Sequence, residues 1–198
     1  MLLNPEYTFD SFIINSRNEI AIKAAYAIIF HADKYINPLF LYGKNGTGKT
    51  HLLQATASKL LEVRPYQEVY YASIETIVSH LVVSIQCDCV NNFRNFYQQL
   101  DFLLIDDVHF LKGKPSTAIE LFLVLEELCS VNKQVIVSAD SAPEKIFASE
   151  NNLIDFFYEG QVIKMNSPLP SLSCHDFRWL QSKILNLKFG LMTSRNLD

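Results

Sequence analysis

The sequence predicts an α/β domain: a mostly parallel β-sheet flanked by helices, in three layers. Three observations carry that expectation. Short apolar runs alternate with longer stretches of helical period along the chain. One apolar run, residues 38–42, opens directly onto a glycine-rich turn. Another, residues 101–106, is apolar until it ends in acid. Strands without polar alternation are buried on both faces, which is the habit of parallel sheets.

The elements follow in order. Residues 17–35 have the spacing of an amphipathic helix. Residues 38–42 form a short strand, and a helix then runs from Lys49 to Glu62, with Pro65 just past its end. Residues 68–73 carry the β-branched and aromatic residues of a strand. Residues 74–86 and 90–99 read as two helices broken near Asp88. After the acid-ended strand comes a helix over 117–130, with apolar Ile119, Phe122, Leu123 and Leu125. Residues 134–139 are a second buried strand, and 161–165 are the last. From Ser167 the texture changes to a proline-containing loop and one further helical stretch. The expected organisation is therefore a nucleotide-binding core over 1–166 and a helical extension over 167–198.

Composition narrows the classes. The chain has 198 residues, 49% hydrophobic and 19% charged, enough for one buried core. A net charge of −4 argues against coating nucleic acid by bulk electrostatics. The first ten residues lack the basic start and apolar run of a signal peptide. No stretch reaches the roughly 18 apolar residues of a membrane span, so no integral membrane contact is expected. The four cysteines, Cys87, Cys89, Cys129 and Cys174, lack paired zinc spacing and read as buried or bystander thiols. A cytoplasmic location is expected.

The chemistry sits in the glycine-rich turn. Gly43-Lys-Asn-Gly-Thr-Gly-Lys-Thr50 fits G-x-x-x-x-G-K-[ST] in full, between a strand and a helix. Gly43, Gly46 and Gly48 let successive N–H groups, including that of Thr47, turn inward as an anion nest. The helix start adds partial positive charge. Lys49 is placed to reach the β- and γ-phosphates, and the Thr50 hydroxyl to ligate Mg²⁺. The expected ligand is a nucleoside triphosphate, ATP or its product ADP, with Mg²⁺. At the end of the acidic strand, Asp106 is the candidate metal carboxylate and Asp107 the candidate group that orients attacking water. Two surface acids at a strand end are the competing reading. Asp140, at the end of the next strand, is either a γ-phosphate or water sensor or a cap for the following helix.

These residues resemble the AAA+ ATPase domain of the DnaA family of bacterial chromosomal replication initiators. The likeness runs through Leu3-Asn-Pro-Glu-Tyr-Thr-Phe-Asp-Ser-Phe12, Asn37–Gly43, the 48–53 block, Phe93-Arg94-Asn95 with Tyr97, Leu103–Leu111 and Ser138-Ala-Asp140. It implies a P-loop NTPase fold of the AAA+ type, adenine as the base with Ile14 and Asn18 as pocket neighbours, and a nucleotide switch acting in replication initiation or its control. The resemblance also implies self-assembly or contact with a full-length initiator. It implies low-affinity contacts to single-stranded DNA by Val82, Lys114 and Thr117, where a solvated turn is the competing reading for Lys114.

The departures matter equally. Aligned on Leu153, Phe157 and Gly160, the family's trans-acting arginines fall on Asn152 and Phe156, and no arginine lies between Arg94 and Arg178. Ser141 and Ser116 stand where the family has arginines. The helical lid with its sensor arginine is expected to be absent or vestigial. No sequence-specific duplex DNA binding is expected, because the resemblance stops before the family's helix-turn-helix domain. Weak hydrolysis follows. The alternatives are a degenerate ATP-binding partner of a full-length initiator, or an ATPase helper resembling helicase loaders.

Overall fold

The computed structural model describes residues 3–31 and 36–166. The extension expected over 167–198, and the lid question with it, lie outside the described residues. Five parallel strands make one sheet: β1 (Leu39–Tyr42), β2 (Val69–Ser73), β3 (Phe102–Asp106), β4 (Gln134–Ala139) and β5 (Gln161–Lys164), in the spatial order β2-β3-β4-β1-β5. The helices are α1 (Glu19–His31), α2 (Lys49–Val63), α3 (Ile74–Gln86), α4 (Val90–Gln98), α5 (Pro115–Ser130), α6 (Pro143–Ile146) and α7 (Asn151–Glu159). This is the three-layer α/β architecture expected from the alternation of elements.

Period-two alternation sorts the strand residues between the layers. Leu39, Leu41, Phe102, Leu104 and Ile136 pack against α1 and α2. Phe40, Leu103, Ile105, Val135 and Val137 pack on the other face, against α3, α4, α5 and α7. Register aligns the rows: Tyr71 lies opposite Leu104, Leu104 opposite Ile136, and Ile136 opposite Leu39. Asp106 and Ser138 share the parity of Leu104 and Ile136, so both belong to the α2 face. The strands all end at the same edge, where ligands of open parallel sheets bind.

Helix boundaries agree with the sequence to within a few residues. The first helix begins at Glu19 rather than residue 17, after Asn15 and Asn18 have closed the preceding loop. The break near Asp88 is real: Asp88 has φ 52°, a left-handed turn between α3 and α4. Packing corrects the reading of α5. Ile119 and Leu123 are exposed, and the buried stripe is Ala118, Leu121, Val124, Leu125 and Leu128. The helix starts two residues earlier than expected, at Pro115, a residue suited to the first turn. That start sets which side faces the sheet. The turn Val108–Leu111 and helices α6 and α7 were not read from the sequence.

The far edge of the sheet is held by polar contacts. Asn37 accepts from the Val135 N–H at 2.9 Å and donates to the Lys133 carbonyl at 2.7 Å. Asp101 accepts from Lys133 Nζ at 2.7 Å and from the Glu68 N–H at 2.9 Å. Burial works to raise the Asp101 carboxyl, but these hydrogen bonds and the lysine charge outweigh it and hold it below its ordinary value.

Gly160 opens β5 where the Gln161 N–H meets the Pro38 carbonyl at 2.9 Å. A Cβ there would stand 2.0 Å from the Pro38 oxygen and 2.5 Å from its nitrogen, both backbone atoms. Gly160→Ala is expected to destabilise the domain by about 2–3 kcal/mol. Urea unfolding checks it, and an unshifted midpoint would contradict the close approach.

Candidate functional site

The loop between β1 and α2 has the geometry its composition requires. Gly46 and Gly48 have φ 79° and 91°, left-handed conformations that favour glycine. Gly43 lies under the Met165 backbone, where a Cβ would come 2.2 Å from the Met165 oxygen. The Thr47 hydroxyl, buried, donates to the Lys44 carbonyl at 2.9 Å and closes the loop. Gly48 is the N-cap of α2 and supplies no side chain, so the first amides of the helix face the loop without a side-chain cap. Such a nest at a helix start suits an anion.

Lys49 is 6% exposed. Its Nζ folds back to donate to the carbonyls of Gly43 at 2.7 Å and Lys44 at 3.3 Å. Burial lowers its ammonium below the ordinary value, and the charges of Asp107, Asp106 and Asp140 oppose that shift. The lysine and the three carboxylates expected from the sequence therefore share one electrostatic neighbourhood. Thr50, half-buried, follows in the first turn of α2.

Asp106 ends β3 at 3% exposure. Its Oδ1 accepts a short hydrogen bond from the Ser138 hydroxyl, and its Oδ2 accepts from the Tyr71 hydroxyl at 3.0 Å. Ser138 Oγ in turn accepts from the Asp107 N–H at 3.0 Å. Asp107 is left-handed, φ 62°, so the chain turns sharply after the strand and its carboxylate departs from that of Asp106. Burial raises the Asp107 carboxyl, the charge of Asp106 adds to this, and His109 and Lys49 oppose it. His109 lies 3.7 Å from Asp107 Oδ1, and its buried Nδ1 makes no hydrogen bond.

Asp140 is exposed at the end of β4. The following helix is capped at Ala142, with no side-chain hydrogen bond, so Asp140 is not its cap. A hydroxyl from Thr50 and a carboxylate from Asp106 are the oxygen donors that a hard divalent cation such as Mg²⁺ takes, so the residues fit that ion.

The N-terminal segment lies across α2. His51 Nε2 contacts the Thr8 carbonyl at 2.8 Å, while its ring stacks on Tyr7 and meets Phe12 edge-on. The Phe12 ring lies 3.0 Å from where a Gly48 Cβ would be. Ile14 is half-buried against this core. Asn18, 2% exposed, spends its amide on the segment itself, accepting from the Asn15 N–H and donating to the Ile13 carbonyl, both at 2.9 Å. The neighbouring Asn15 Nδ2 is buried and makes no hydrogen bond.

The DNA candidates stand apart from this pocket. Val82 is exposed on α3. Lys114 is exposed at the N-cap of α5, and Thr117 is half-buried one turn on. Helix α3 packs on the Val108–Leu111 turn that leads to Lys114, which places the three on neighbouring elements. On α4, Arg94 reaches Glu120 of α5 at 3.4 Å. The positions that the resemblance assigns to trans-acting arginines lie on α7. Asn152 is exposed, and Phe156 is buried against Phe122 and Phe157.

Sequence reading missed Tyr71 and Gln54 as parts of the site. The usable signal was a polar residue at buried parity, as at Ser138 in an otherwise apolar strand.

A parallel five-stranded sheet with this loop after β1 and an acid-ended β3 defines a P-loop domain of the AAA+ type. The family described as "Bacterial DnaA ATPase domain" matches residues 3–164. The chain belongs to the DnaA family. It is 40% identical, over 84% of its length, to the chromosomal replication initiator protein DnaA of Synechocystis sp.. It spans 37% of that relative. Domain III of the Thermotoga maritima initiator superposes with a TM-score of 0.81 at 38% identity, covering 85% of this chain and 70% of that one. A DnaA initiator bound to AMPPCP and single-stranded DNA superposes at 0.78 and 34% identity, covering 85% of this chain and 52% of that one. Among the described residues, no helix is long and apolar enough to cross a membrane.

Proposed function

We propose that this chain is the ATP-binding unit of a DnaA-type switch in the initiation of chromosomal replication or its control. One observation carries the reading: a glycine nest and buried Lys49 on α2 face the Asp106–Asp107 turn at a single sheet edge. The nest and Lys49 hold the phosphates. Thr50 and Asp106 would hold Mg²⁺, which when bound would neutralise phosphate charge. Asp107 orients the attacking water, and Asp140 senses the γ-phosphate. Ile14 and Asn18 border the base, Asn18 by shaping its loop. Val82, Lys114 and Thr117 give weak contacts to single-stranded DNA, since one lysine neutralises little phosphate. Residues 1–166 are the nucleotide-binding core, and 167–198 an appendage to it.

A second reading has its own support. Phe156 fills with core the place the resemblance gives to an arginine, so the chain acts as an ATP-binding partner of a full-length initiator and hydrolyses little. Sedimentation velocity with ATP, with ADP and without nucleotide tests both. ATP is expected to promote a complex with a full-length DnaA-type initiator, with further copies of the chain or with oligo-dT. Profiles that do not respond to nucleotide in any mixture would sink the switch.

A further inference from the structure

We propose that Tyr71 is a positioning residue for the metal-binding carboxylate of Asp106, and that Gln54 ties this carboxylate to the backbone of the N-terminal segment at Asn4. The proposal rests on the reading of Asp106 as the metal carboxylate.

The hydrogen bonds form a directed chain. The Asn4 N–H can only donate, and it meets Gln54 Oε1 at 2.8 Å. That contact fixes the orientation of the Gln54 amide and turns its Nε2 toward the Tyr71 hydroxyl, at 3.0 Å. The Tyr71 oxygen therefore accepts from Gln54 and directs its own proton to Asp106 Oδ2, at 3.0 Å. On the other side, Ser138 donates to Asp106 Oδ1. Each carboxylate oxygen is held by one hydroxyl and keeps acceptor capacity for a further partner. The plane of the carboxylate is thus set from two neighbouring strands before any ion arrives.

Burial makes the chain effective. Asp106 is 3% and Gln54 8% exposed, so water competes poorly for these groups. The strands deliver the geometry. Ser73 lies opposite Asp106, so Tyr71 sits two residues back on the same face and reaches forward to it. Groups that orient a metal ligand from behind tune affinity for the ion without touching it. The N-terminal segment, through the Asn4 backbone, therefore takes part in organising the ion site at the opposite end of the chain of contacts.

The test compares ATP affinity by titration calorimetry in excess Mg²⁺ and in EDTA. Tyr71→Phe keeps the ring and removes the hydroxyl. It is expected to lose about 10-fold in the presence of Mg²⁺ and nothing in EDTA. Gln54→Met is expected to lose less, in the same direction. Mn²⁺ titration of the ATP-saturated protein by electron paramagnetic resonance should show the same weakening for Tyr71→Phe. A Tyr71→Phe protein with wild-type Mg²⁺ dependence overturns the proposal. So does an equal loss with and without metal, which marks general disruption. Failure of the underlying reading looks different: the wild-type protein would then bind no ATP, or gain nothing from Mg²⁺.

Discussion

Lys49→Ala is expected to weaken ATP binding by at least about 100-fold, equivalent to ~2.7 kcal/mol. The side chain is nearly enclosed and its ammonium is parked on the Gly43 and Lys44 carbonyls. Those carbonyls belong to the loop that phosphate would occupy. Swinging from neutral carbonyl oxygens to phosphate oxygens exchanges ordinary hydrogen bonds for charge-assisted ones, which are about twice as strong. The three neighbouring carboxylates sharpen the effect. With the lysine gone, Asp106, Asp107 and Asp140 face the incoming polyphosphate without the charge of Lys49 to offset them. Titration calorimetry of both proteins measures the difference, and equal affinities would end the P-loop assignment. Circular dichroism melting of the variant separates loss of the site from loss of the fold, because the remaining core on both sheet faces is untouched.

The chain on its own is expected to hydrolyse bound ATP slowly, below about 0.01 s⁻¹, where kinases run at roughly 1–100 s⁻¹. The groups on this chain bind and orient: Lys49 and the nest for the phosphates, Asp107 for water. Among the described residues, none of these groups is an arginine aimed at the charge developing on the γ-phosphate. Such an arginine contributes about 10³–10⁵ in rate in related chemistry. No arginine lies between Arg94 and the end of β5, and Arg94 on α4 is paired with Glu120 on α5. A phosphate-release assay on purified protein decides it. Turnover at kinase-like rates without a partner would show that another group supplies the charge.

Much of this site was legible because phosphate binding is local. A strand, a glycine turn and a helix start are consecutive in the chain, so the sequence from 38 to 50 contains the whole device. The acid pair was legible for the same reason, as the abrupt end of an apolar run. The buried stripe of α5 was not, because Ile119 and Ala118 differ only in which side the helix presents after Pro115 starts it. The direction of the first turn decides that, and apolar content alone does not encode it. The Tyr71–Gln54–Asn4 chain was equally hidden. Its members come from β2, α2 and the N-terminal segment, and only the packing of α2 and that segment on the sheet, with the β2–β3 register, brings them within hydrogen-bonding distance. The sequence offers both a sensor and a helix cap for Asp140, and the N-cap of the following helix is Ala142.

The aromatic side of α7 bears on what position 156 can hold. Phe156 packs against Phe122 and Phe157, and Phe157 meets Phe40 of β1 with ring centroids 4.7 Å apart. Phe156→Arg would drive a guanidinium into this aromatic stack, where an unpaired charge is strongly disfavoured. The neighbouring surface position, Asn152, could accept one, but a cation there would have to act from outside the core. A cation at 156 would need compensating changes in Phe122, Phe157 and their neighbours, so the packing of α7 on the sheet keeps this position apolar.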